Sequence, residues 1–385
     1  MTKSRALVLV TTSFPIAGDG SEAAGSFVSD LVEEVAVKTP VRVVAPGVEA
    51  GRETWGNNIE VFRFAAPSKP LSTLKPWRLG DLRWIRKVLR GGLESTRAAV
   101  NCGETSHILA LWGLPCGEWA RRVARESKID YSVWLLGSDV WGLGRIPLVR
   151  SYLARVIQWA KCAYADGIQL AEDARQIGGR KIEFLPSTRR IDAVRTEPLR
   201  VNPPYRLLFL GRWHLNKGLD LLLDALKLLR EEDWSRISTV EICGGGPLEE
   251  IVRHGVGELR AAGRPVELRG YLDKVQAVAA LLRADYVLIP SRIESIPVIF
   301  SDAMKLGAPV VAMPVGDLQH LIKTAPQCGL SAASIEPSAF ADALSRALQS
   351  SPMTFSEGTK MRASEFELAR SIEKLMAPVR DFLNG

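Results

Sequence analysis

The sequence predicts an α/β protein of two domains in series, each built on a parallel sheet, with a cleft between them. Three observations carry this. Short, apolar, β-leaning runs alternate with helix-length amphipathic stretches along the chain. A polar, proline-rich stretch, "RTEPLRVNPP" at 195–204, divides two such series. The chain has 385 residues, 46% of them hydrophobic, which is enough for two cores at roughly 100–200 residues per domain. The predicted domains are 1–200 and 201–385, and a C-terminal helix at about 364–383 is expected to pack back toward the first.

The first series opens with a strand at 5–12. The loop after it, "SFPIAGDGSEAAGSFV", holds Gly18, Gly20 and Gly25. It lacks the G-x-G-x-x-G spacing, so no dinucleotide fingerprint is supported. A helix follows at about 26–37, then strands at 41–45, 108–111 and 131–136, with helices between. The second series restarts with a strand at 205–211 entering a helix at about Leu219. It continues as 238–243, 247–262, 266–269, 274–283, 285–290, 297–306 and 309–313, strand and helix alternating. No short repeat and no low-complexity tract occurs.

Composition excludes several classes. No apolar run approaches the roughly 18–20 residues that span a bilayer as a helix. Residues 6–10 are too short for a secretory apolar region and read as a first strand. The five cysteines, at 102, 116, 162, 243 and 328, are scattered and form no Cys-x-x-Cys pair. Neither a zinc site nor a disulfide framework is indicated, which fits a cytoplasmic protein. Residues 1–200 carry 29 Lys/Arg against 21 Asp/Glu, a net of +8, whereas 201–385 carry 21 against 22, a net of −1. Such asymmetry points the first half at an anionic surface.

The chemistry gathers in "SRIESIPVIFSDAMKLGAPVVAMP", 291–314. Ser295 suits an N-cap and Pro297 a first helical residue. A helix from Pro297 to about Lys305 would aim the amides of Ile296, Val298 and Ile299 into the crevice at the carboxyl end of a strand, where phosphate binds. Glu294 precedes those amides and Asp302 lies just over one turn inside the helix. A diphosphate held at the helix end would then have an acid on either side for the hydroxyls of two flanking sugars. In "FLGRWHLNKGLDLLLDAL", Arg212 leaves a strand and Lys217 precedes a helix. Two cations there can neutralise a diphosphate, although a solvated loop carries such pairs too. "ICGGGPLEE" is a further glycine-rich turn into a helix, weak evidence taken alone.

These stretches, with "VELRGYLDKVQAVAALLRADYVLIPS" and "ESIPVIFSDAMKLGAPVVAMPVGDLQHLI", resemble the donor domain of GT-B glycosyltransferases of family 4, in the family's order across about 205–322. The first half is similar more loosely, through "TTSFP…GSFVSDLVEEVA", "LWGLPCGEWA" and "LGSDVW". The resemblance implies two Rossmann-like domains facing across a cleft, the first for the acceptor and the second for a nucleotide sugar. It implies that Arg212 and Lys217 face the donor diphosphate, Glu294 the transferred sugar, the backbone from Ser295 through Ile296, Pro297 and Val298 the distal phosphate, and Asp302 the ribose. Backbone near Tyr271-Leu272 would meet the base, and the glycine-rich turns bring Gly25 and Gly244 into the donor-binding set. Asp139 joins Glu294, Arg212 and Lys217 among the implied catalytic residues; its other role is to cap the turn after its strand. Asp302 stands where the family usually has Glu. Leu136 and Leu111 stand where histidines are common.

The implied reaction is retaining transfer of a sugar from a nucleoside diphosphate to an acceptor hydroxyl, in the synthesis of a glycan, glycolipid or glycoconjugate. No Asp-x-Asp motif asks for a bridging metal, so no metal or other cofactor is expected. Two other readings stand: a nucleotide-sugar-binding relative without catalysis that acts through a partner, motivated by Leu136, and a nucleotide-sugar epimerase, which would want more acid/base groups around the sugar. The partners expected are the donor and an unspecified hydroxyl acceptor, lipid-linked or not, and no nucleic acid. "KPLSTLKPWRLGDLRWIRKVLRGGLESTR", 69–97, has eight basic and two acidic residues. It reads either as a surface helix packed on its domain, with Leu82, Ile85 and Leu89 on one face, or as a peripheral contact with anionic membrane.

Overall fold

The alternation read from the sequence builds two parallel sheets in a computed structural model that describes residues 5–16, 22–67 and 74–383. Two compact units divide the chain, Met1–Ser187 with Leu368–Gly385, and Thr188–Glu367. Gly18, Gly20 and the start of the 69–97 stretch, residues 69–73, lie outside the described residues.

In the first unit the strands are β1 (Ala6–Val10), β2 (Val41–Gly47), β3 (Gly51–Thr54), β4 (Ile59–Ala65), β5 (Thr105–Leu111), β6 (Tyr131–Leu135), β7 (Ala163–Ala165) and β8 (Glu183–Phe184). They form one sheet in the order β3-β4-β2-β1-β5-β6-β7-β8. All pairs are parallel except the edge pair β3–β4. Side chains alternate across the pleat. Leu7 and Leu9 face one core with Val28, Leu31 and Val32 of the helix Glu22–Ala36, and with Leu375 and Met376 of the helix Leu368–Leu383. Val8 and Val10 face the other, with Val88 of the helix Leu79–Asn101, Trp119 of Glu118–Ser127 and Leu153 of Pro147–Trp159. The helix Leu79–Asn101 buries Asp81, Val88, Gly92, Thr96 and Ala99. Of Leu82, Ile85 and Leu89, the first two are half-buried at the border of this face and Leu89 stands exposed.

In the second unit β9 (Tyr205–Leu210), β10 (Ile237–Cys243), β11 (Val266–Arg269), β12 (Tyr286–Ile289), β13 (Val310–Ala312) and β14 (Gly329–Ser331) make a fully parallel sheet in the order β11-β10-β9-β12-β13-β14. The chain runs outward from β9 on one side, then crosses back to place β12 on the other. That reversal opens a crevice at the carboxyl ends of β9 and β12, where ligands of open α/β sheets bind.

The stretch 195–204, read as a linker, is held on the second unit. The Arg195 guanidinium donates to the carbonyls of Leu281 (2.9 Å), Leu282 (2.5 Å), Ala284 (3.1 Å) and Leu306 (2.8 Å). It thereby caps the carboxyl ends of two helices, Lys274–Arg283 and Val298–Lys305. The Arg200 amide donates to Asp285 at 3.1 Å. A polar composition suits a solvated linker, but here two of its arginines serve buried carbonyl and carboxylate groups. The expected helix at 364–383 is two elements: Ser356–Glu365 ends the second unit, and Leu368–Leu383 joins the core of the first.

Candidate active site

The loop after β9 is stitched to its neighbour before it reaches the crevice. Gly211 N donates to Cys243 O at 3.1 Å, Trp213 N to Gly245 O at 2.9 Å, and Leu248 N to Trp213 O at 3.1 Å. Gly244 has φ +139°, and a Cβ there would fall 2.0 Å from Gly211 O. Only glycine lets the two loops approach this closely. Tyr271 lies over Gly245, its hydroxyl donating to the Gly245 carbonyl at 2.8 Å, and Leu272 beside it is half-buried.

The same loop is locked to the one after β12. Gly218 has φ +67°, and a Cβ there would meet Pro290 O at 1.9 Å. Arg292 N donates to Asn216 O at 2.8 Å, and the Arg292 guanidinium grips Asp220 through two bonds of 2.7 and 2.6 Å. This clamp sets Lys217 against Glu294, and the Lys217 ammonium donates to Glu294 Oε1. Arg212 is exposed and forms no ion pair among the described residues. One cation thus holds the acid, and a second stays open to an anion.

The helix begins one residue later than expected, at Val298, with Pro297 in the N-cap position and Ser295 buried before it. Ser295 Oγ has no hydrogen-bond partner among the described residues. The first amides of a helix have no intrahelical acceptor, so Val298 and Ile299 present donors beside Glu294. Ile296 is buried and anchors the turn.

Asp302, expected to face a ribose, has a side chain 1% exposed that forms a salt bridge with Arg189. Lys305, one turn on, donates to Thr188 Oγ1 at 2.5 Å and Arg189 O at 2.6 Å. The buried carboxylate lies within the body of the unit, where it anchors the incoming chain. Arg189 carried no sequence signal, because its partner lies 113 residues away.

The first unit treats its candidates differently. Gly25 is inside the helix Glu22–Ala36, not in the loop, and a Cβ there would lie 2.8 Å from Pro15 Cδ. Its smallness seats the helix on the turn after β1. Asp139 is buried, with Oδ2 accepting from Gly113 N at 2.6 Å and Oδ1 from Val140 N at 3.1 Å. Burial pushes its pKa above the ordinary carboxylate value, against the pull of those amides. Asp139 ties the loops after β5 and β6 together and does not face outward as a catalytic acid would. Leu136, Phe27 and Trp112 are half-buried against the same core cluster, an apolar lip in which the Phe27 and Trp112 rings meet edge to face at 6.4 Å.

Among the described residues no group of three or more His, Cys, Asp or Glu is gathered that could hold a metal ion.

The two sheets define the class: the chain has the GT-B glycosyltransferase fold. It superposes on sucrose-phosphate synthase from Thermosynechococcus elongatus with a TM-score of 0.72, at 15% identity over 99% of both chains. On Anabaena HepE, solved with UDP and glucose, the TM-score is 0.67, at 15% identity over 97% of this chain and 99% of that one. Residues 204–350 match the family described as Glycosyl transferases group 1, so the second unit carries a domain of that family. A D-inositol 3-phosphate glycosyltransferase of Jonesia denitrificans is 31% identical over 182 residues, 44% of this chain and 42% of the relative. The corresponding protein of Mycolicibacterium gilvum is 30% identical over 207 residues, 50% of this chain and 42% of the relative. The chain spans less than half the length of these curated relatives.

Proposed function

We propose that the protein is a retaining glycosyltransferase that moves a sugar from a nucleoside diphosphate to an acceptor hydroxyl. The observation that carries this is the meeting of Lys217 and Glu294 across the crevice between β9 and β12, beside the open Arg212 and the amides of Val298 and Ile299. Arg212, Lys217 and the helix end neutralise the departing diphosphate. Glu294 takes hydrogen bonds from the sugar, and Tyr271, Leu272 and Gly244 border the nucleotide. The bond from the anomeric carbon to the phosphate oxygen breaks, and the acceptor oxygen bonds to that carbon on the same face. The acceptor proton passes to the diphosphate oxygen. The cations supply the charge stabilisation that a metal would otherwise give, so turnover is expected to survive a chelator.

UDP-sugars are the first donors to test, because the fold neighbours include a protein solved with UDP and glucose. The unpaired cysteines suit a cytoplasmic location. Among the described residues no helix is long and apolar enough to cross a membrane. A peripheral contact with anionic lipid is proposed through the exposed Trp77, Leu79, Arg83, Arg86, Lys87 and Leu89. Calorimetry with UDP, followed by single-turnover assays on a panel of UDP-, GDP-, ADP- and TDP-sugars, tests the reading. A donor bound but never consumed would favour a binding protein, the reading that the apolar surroundings of Leu136 support.

A further inference from the structure

We propose that the ion pair between Lys217 and Glu294 is a specificity device: it disfavours a bare nucleoside diphosphate and spares one that carries a sugar. The proposal rests on the transferase reading above.

The two cations of the crevice are not equivalent. Arg212 is exposed and forms no ion pair among the described residues, so an anion meets it open. The Lys217 ammonium is already given to Glu294 Oε1. The Lys217 side chain is 35% exposed and that of Glu294 only 16%. At that depth water screens the pair less than it screens a surface pair, so separating the partners costs more.

The backbone fixes both partners. Lys217 N donates to His214 O at 2.8 Å, and Gly218 beside it lies against Pro290 O with no room for a Cβ. On the far side, a Cβ at Gly316 would fall 2.2 Å from Glu294 O. A change of partner therefore falls to the side chains. The Lys217 stem is long and flexible enough to carry its ammonium from the carboxylate to a phosphate oxygen. Glu294 has no second cation to turn to. The Arg292 guanidinium is engaged by Asp220, and Glu294 makes no other ion pair among the described residues.

A diphosphate at the helix end thus sets up an exchange. It draws the Lys217 ammonium away and leaves a largely buried carboxylate beside an anion. Lost pairing and like charge both destabilise that carboxylate. A sugar esterified to the diphosphate changes the outcome, because its hydroxyls donate to Glu294 in place of the ammonium. The bare diphosphate bears a penalty that its sugar ester does not. After transfer, the return of Lys217 to Glu294 favours departure of the diphosphate, and product release sets the turnover of many enzymes.

Calorimetry of the full chain with UDP, GDP, ADP and TDP, each against its glucose ester, tests this. Glu294→Gln should bind the preferred diphosphate about three- to tenfold more tightly than the parent does, and its glucose ester no more tightly. Glu294→Ala should show the same gain, and circular dichroism and melting temperature report the fold of both variants. In a Lys217→Ala background the gain from Glu294→Gln should shrink at least about threefold, since only like-charge repulsion is then relieved. Equal gains in the two backgrounds overturn the proposal, as does an equal gain for diphosphate and ester. A parent that binds none of the four diphosphates or their esters overturns the transferase reading and this proposal with it. A parent that binds them, with no gain in Glu294→Gln, overturns the proposal alone.

Discussion

At the carboxyl edge of the second sheet, Lys217 and Glu294 meet at half-buried positions and Arg212 stands open. At the same edge of the first sheet, Asp139 is turned inward onto backbone amides and the lip is Leu136, Phe27 and Trp112. Both sheets reverse strand order, at β9/β12 and at β1/β5, so both offer a crevice. Topology supplies the place, and the side chains decide what it can hold: anion chemistry in the second unit, an apolar wall in the first.

The comparison breaks first at Asp302. If Asp302 anchors Arg189, Asp302→Ala should remove a buried ion pair and cost up to about 3–5 kcal/mol of stability, read as a lowered melting temperature without nucleotide. A mutant that melts like the parent but binds UDP more weakly would return Asp302 to the ribose. Glu294→Gln should reduce turnover by about 10²–10³-fold with the fold unchanged by circular dichroism; near-parent turnover would remove the acid from the reaction.

His107, in the first sheet, sharpens the contrast. Burial pulls its pKa down to about 4, although Asp130 acts in the opposite sense. The unfolded chain binds the proton near pH 6.5, so folding excludes it. Stability should be full above pH 6.5 and fall by about 3 kcal/mol as pH drops toward 4. In a His107→Asn variant the melting temperature should lose that acid slope, whereas an unaltered slope would assign the effect to other groups.

Arg212→Ala and Lys217→Ala should each weaken UDP binding by about one to two orders of magnitude, as charge-assisted hydrogen bonds are worth roughly 1.5–3 kcal/mol. Calorimetry showing parent affinity in both would dissolve the anion site. Leu136→His should lower turnover on the native donor by less than about tenfold, because a polar ring enters an apolar lip. A gain in activity would show that the leucine had impaired a catalytic edge.

The second unit was the more legible. Its helix start at 297–298, its cations and its glycine turns are local features, since capping, propensity and loop chemistry act over a few residues. The strand pattern of β9 to β13 followed from apolar runs between turns. In the first unit the edge strands β3 and β8 and the neighbouring β7 are short, and β4 passed unread because "IEVFRF" breaks strict alternation at Val61-Phe62. In the helix Leu79–Asn101 the face shared by Leu82, Ile85 and Leu89 was legible, but the small residues it buries, Gly92, Thr96 and Ala99, carry little apolar signal.

The sequence by itself determined the class of fold and the order of strands and helices in the second half. Only the tertiary structure decided which carboxylates reach the surface. Glu294 and Asp302 lie eight residues apart in one motif, yet one meets Lys217 at the crevice and the other is sequestered by Arg189. Those partners are 77 and 113 residues away in the chain. The free energy of a carboxylate is set by what surrounds it in space, by burial, by a cation or by a backbone amide, and spacing along the chain carries none of these.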